Sequence, residues 1–97
     1  MDKKEKYYNY VVNDLVSNTE IDNDQEKIKL PFYNRPIFLS SSLLHTFLTP
    51  LPPSPYLHTF SRFSKHVIER YGVHDEEIKI IWNLYKEKIQ PLIKKYE

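Results

Sequence analysis

The side chains best suited to binding a metal or moving a proton near neutral pH are the four histidines, His45, His58, His66 and His74. His58 and His66 are eight residues apart, which on a helix is about two turns. That places them loosely on one face, but not on adjacent turns as in a helical metal site, and no HExxH run is present. Serines at 40, 41, 42, 54, 61 and 64 lack the GxSxG setting that turns a hydroxyl into a nucleophile. The chain has no cysteine, which excludes a thiolate nucleophile, a disulfide framework and thiolate-bound zinc. Its single glycine, Gly72, rules out a glycine-rich phosphate loop. Carboxylates pair at Glu76-Glu77 and within residues 18–26, both in polar surroundings that offer no desolvation for general acid work. The expectation is a protein that is not an enzyme, with no metal and no cofactor.

Chemistry being sparse, charge and aromatic content carry more of the reading. The 97 residues are 40% hydrophobic and 28% charged, the balance of a folded domain and not of a disordered tail. Net charge is +1, but its distribution is uneven. Asp14, Glu20, Asp22, Asp24 and Glu26 fall in a stretch without a basic residue, and residues 27–70 carry six basic residues against Glu69 alone. Lys86, Lys88, Lys94 and Lys95 add positive charge near the end. Arg62 and Lys65, three apart, are neighbours on a helix face. With Arg35, Arg70 and Lys79 they are the candidates for a basic patch that grips phosphates, with Tyr or His rings to stack on bases. Eight tyrosines and five phenylalanines are divided between filling a small core and forming an interface.

These residues must be positioned by helices for the most part. Tyr8, Val11, Val12 and Leu15 repeat at three-to-four spacing and predict a helix from about Asp2 to Ser17. Residues 18–26 read as a polar, acidic loop. Residues 27–39 read as an extended segment or a hairpin turning at Asn34-Arg35, interrupted by Pro31 and Pro36. A serine at 40–42 caps a short helix carrying Leu43, Leu44, Phe47 and Leu48. The proline-rich run 49–55 is a stiff linker, and its Pro50-to-Pro53 spacing also satisfies a PxxP ligand. Ser54-Pro55 then starts a helix ending at Tyr71, with Gly72 as its left-handed cap. Asp75-Glu76-Glu77 opens the last helix, and Pro91 is expected to kink or divide it near residues 88–90. That helix carries Ile78, Ile81, Trp82, Tyr85, Ile89, Leu92, Ile93 and Tyr96 on a broad apolar stripe. The fold class is therefore mainly α: one small domain, a bundle of three to four helices with a short extended or hairpin segment at about 27–39.

Within residues 64–82, Gly72, Val73, Ile78 and Ile81 stand where helix-turn-helix DNA-binding proteins place their turn glycine and scaffold apolar residues. The segment resembles that family, and the resemblance implies that the second helix enters a major groove. Two departures stand out. Ile68 occupies a position where the family has a small residue, and His74-Asp75-Glu76-Glu77 would set carboxylates against phosphate. A generic helical hairpin accounts for the same residues.

The start, Met1-Asp2-Lys3-Lys4-Glu5-Lys6, leads into a half-polar segment, so no secretory signal is expected. No apolar run approaches the roughly 18 residues of a membrane span. An intracellular place, cytoplasmic or nuclear, follows as the expectation. The leading functional expectation is a protein-protein interaction or assembly module, binding another protein or its own copy as an oligomer, of a size that fits a small regulatory or viral protein. Trp82, Tyr85 and Ile89 are its candidate interface residues if the stripe is wider than one core covers. Nucleic-acid binding through the basic patch is the alternative.

Overall fold

A computed structural model describes residues 3–41, 44 and 58–93. Three helices and one small sheet are present among them: α1 (Lys3–Ser17), β1 (Glu20–Asp22), β2 (Lys27–Lys29), β3 (Ile37–Phe38), α2 (His58–Tyr71) and α3 (Asp75–Ile93). The mainly α class expected from periodicity is what is found. The short helix expected after Ser40 lies outside the described residues except for Leu44, which is fully buried. The proline run 49–55 and the Ser54-Pro55 start also lie outside them.

α1 buries Val11, Val12 and Leu15, as its spacing requires. Its last carbonyls are satisfied locally. Asp14 O accepts from Ser17 Oγ and Asn18 Nδ2, both at 2.9 Å, and Thr19 Oγ1 donates to Leu15 O at 2.8 Å. Because that bond uses the one Thr19 hydroxyl hydrogen, Tyr85 donates to Thr19 Oγ1 across 2.7 Å. Burial holds the Tyr85 phenol well above its ordinary range, so it remains a donor.

The acidic segment is not all loop. Glu20–Asp22 forms β1, antiparallel to β2, and β2 pairs in turn with β3 in the order β1-β2-β3. The hairpin expected within 27–39 is present as β2 and β3, joined through residues 30–36, and the third strand comes from the stretch read as loop. Register explains why three residues suffice. Ile21 pairs with Ile28 and Ile28 with Ile37, so one face is a row of isoleucines laid on the helices. The other face sets Glu20 opposite Lys29 and Asp22 opposite Lys27, and the Lys27 amine lies 5.1 Å from the Phe38 ring centroid. The β1–β2 turn is pinned by Asp22 Oδ1, which accepts from the amides of Asp24 and Gln25 at 3.0 and 3.1 Å. Glu26 takes a left-handed φ of 54°, and its carbonyl accepts from the Leu39 amide at 2.8 Å.

α3 is the central element, with α1 and α2 packed on it. Ile78, Ile81, Trp82, Tyr85, Ile89 and Ile93 form its buried stripe. Edge-on ring contacts join it to the rest: Trp82 to Phe60 and to Phe63, both at 4.9 Å, Phe32 to Phe63 at 5.1 Å, and Phe32 to Tyr85 at 5.8 Å. Pro91 does not divide the helix, which continues to Ile93. Its fixed φ suits a helix, and the cost is one lost bond to the carbonyl of exposed Glu87, which water can satisfy. The α2–α3 turn needs Gly72: its φ is 66°, its amide donates to Ile68 O at 3.0 Å, and a Cβ there would meet nothing within 4 Å.

Candidate binding groove on helix α2

On α2, Phe63 and Val67 turn inward, so positions 62, 65, 66, 69 and 70 share the opposite, wetter face. The loop after β2 folds against that face. The amide of Tyr33 donates to Leu30 O at 3.2 Å, making a tight turn. Phe32 is thereby driven into the core, and half-buried Tyr33 and exposed Asn34 are left beside α2. Arg62 Nη1 donates to Asn34 Oδ1 at 2.7 Å, and the guanidinium carbon lies 5.1 Å from the Tyr33 ring centroid. The result is a hollow of about 280 Å³ between loop and helix, whose walls include Tyr33, Asn34, Arg62, Lys65, His66 and Glu69.

A second hollow of about 270 Å³ shares Pro31 and His66 with the first and adds Asn18 and Arg70. The two form one groove along α2. Its far end is anchored by a polar cluster: Tyr71 donates its hydroxyl to Asp14 Oδ2 at 2.5 Å, and Arg70 Nε lies 3.7 Å from the same oxygen. Burial, and then Asp14, push the Tyr71 phenol up to about 12. Tyr7 donates to the carbonyl of Tyr71 at 2.7 Å, tying α1 to the end of α2. Burial and the neighbouring Arg70 lower the His66 pKa below 6.5, which favours its neutral form at pH 7.

The basic candidates from the sequence divide accordingly. Arg62, Lys65 and Arg70 come together on the groove. Arg35 is exposed one residue beyond Asn34 but lines neither hollow, and Lys79 is exposed on α3, outside them. Lys86 is buried against Trp82, its amine 5.5 Å from the ring centroid, and so does not extend a surface patch. The interface candidates fare differently. Trp82, Tyr85 and Ile89 are at most 1% exposed and belong to this chain's own core, because the stripe is covered by α1, α2 and the 30–39 segment. Of the helix-turn-helix scaffold positions, Val73, Ile78 and Ile81 are buried, whereas Ile68 points outward and does not lie between the helices.

Tyr33, Asn34 and His66 were missed as site residues. The signal available was an aromatic next to polar Asn34-Arg35 between two prolines, where a ring is less needed for the core. Among the described residues no three His, Asp or Glu are placed to hold a metal ion, and no helix is long and apolar enough to cross a membrane. The search for relatives returned nothing: no family model, curated protein or solved structure matches this chain.

Proposed function

We propose that this chain is a non-enzymatic protein-binding module whose α2 groove holds an acidic segment of its partner. The observation that carries the reading is the Tyr33-Arg62 pair with Lys65 and His66 around one hollow, and Arg70 on the adjoining hollow that shares His66. Tyr and Arg are the side chains that contribute most at protein interfaces. A guanidinium braced by a ring and by Asn34 has already lost much of the freedom that binding would otherwise remove. The planar guanidinium fork matches the two oxygens of a carboxylate.

Nucleic acid is the second reading, and charge supply argues against it. Glu69 offsets one of the cations on the groove, Arg70 already lies beside Asp14, and the whole chain carries only +1. A nucleic-acid strand is held by a track of cations against successive phosphates. Fluorescence anisotropy separates the two, with the protein titrated into a labelled Asp/Glu-rich peptide, a labelled single-stranded RNA and a labelled duplex DNA. Peptide binding that Arg62→Glu abolishes supports the module. Oligonucleotide binding that weakens steeply with salt, without peptide binding, replaces it with the second reading.

A further inference from the structure

The groove has a complementary surface on the same chain. Resting on the protein-binding reading above, we infer that the groove's occupant is the β1–β2 hairpin of a second copy of this chain. Of the five acids between residues 14 and 26, Asp14 is held by Arg70 and Tyr71. The other four are all exposed and all on the hairpin. Glu20 and Asp22 stand opposite Lys29 and Lys27 across the strands. Asp24 and Glu26, in the turn at the tip, lie outside that paired register. The tip therefore offers two carboxylates to a groove whose Arg62 and Lys65 outnumber Glu69.

The tip's shape is set before docking. Asp22 caps the turn, Glu26 holds its left-handed φ, and the Leu39 amide binds the Glu26 carbonyl. A preformed tip loses little chain freedom on binding. Its position also excludes its own groove. The hairpin springs from between Asn18 and Pro31, both on the groove wall, and strands rising about 3.3 Å per residue carry the tip some 10 Å away. None of the tip residues lines the groove of its own copy. Two copies related by a two-fold axis put each tip into the other's groove and close the assembly at a dimer.

The test is sedimentation velocity on the full chain over a concentration series at low and high salt. It compares wild type with a groove reversal (Arg62→Glu, Lys65→Glu) and a tip reversal (Asp24→Lys, Glu26→Lys), each checked for helix content by circular dichroism. The expected result is a wild-type dimer that weakens with salt, and a loss of about tenfold or more in dimer affinity for either reversal alone. An equimolar mixture of the two reversals regains the dimer, since opposite charges then meet at both contacts. The neutral pair Arg62→Gln and Asp24→Asn, which disturbs folding least, should weaken dimerisation in the same direction. A wild-type monomer that still binds the acidic peptide overturns the self-docking and leaves the protein-binding reading standing. A monomer that binds no peptide overturns both. A dimer indifferent to both reversals assembles through another face and also overturns the inference.

Discussion

The buried stripe of α3 and the outer face of α2 are built from overlapping residue types and end in opposite roles. Both carry aromatic rings beside a cation: Trp82 beneath Lys86 in the core, and Tyr33 beneath Arg62 at the surface. In the core the ring fixes the fold and the amine is the passenger, its pKa lowered by burial. At the surface the ring and Asn34 brace the guanidinium. Residue type alone does not separate these cases. Coverage by a neighbouring element does: α3 is covered, whereas among the described residues α2's outer face meets the loop after β2.

The comparison breaks most sharply at Trp82. Trp82→Ala should cost about 3–5 kcal/mol, a large part of the stability of a domain this size, read as a fall in the urea midpoint. If the loss were below about 1 kcal/mol, the α3 stripe would not be the organising core. Arg62→Ala should do the reverse: stability changes by less than about 0.5 kcal/mol, while acidic-peptide affinity drops about tenfold, or roughly 1.4 kcal/mol. An Arg62→Ala chain that unfolds before it stops binding would merge the two regions. Gly72→Ala probes the junction between them. With open space around the site, its cost is the backbone's alone, about 1 kcal/mol by thermal or urea melt.

The smallest effect is one of pH. Because the folded His66 pKa is lowered, the unfolded chain takes up a proton more readily, so the stability this group contributes is complete above pH 6.5 and declines as pH falls below it. Binding has the opposite sign. An acidic segment favours the protonated imidazole, so peptide affinity should rise a few-fold as pH falls below 6.5 toward the lowered His66 pKa, and His66→Gln should flatten that rise while leaving the melt at high pH unchanged.

How far these regions could be read from sequence follows from the range of the forces involved. The α1 and α3 stripes were legible because helix periodicity is local, and Val11, Leu15, Ile81 and Tyr85 fall where it puts them. Gly72 was legible because only its backbone conformation matters. β1 was not, since Glu20-Ile21-Asp22 has one apolar residue and becomes a strand only by pairing Ile21 with Ile28. The groove was half legible: Arg62, Lys65 and Arg70 share a helix face, but Tyr33 and Asn34 reach them across 28 or more residues. Trp82, Tyr85 and Ile89 are interface candidates only if the stripe is wider than one core covers, and part of its cover is the 30–39 segment, far away in sequence.

One burial has an optical consequence. The chain holds a single tryptophan, and Trp82 is 1% exposed against Phe60 and Phe63. Its indole emission should therefore be blue-shifted and shielded from acrylamide, and should redden only when the fold opens. An unlabelled sample is thus a thermometer of the core that stays dark to events on the α2 groove, and occupancy there has to be followed with a dye on the ligand.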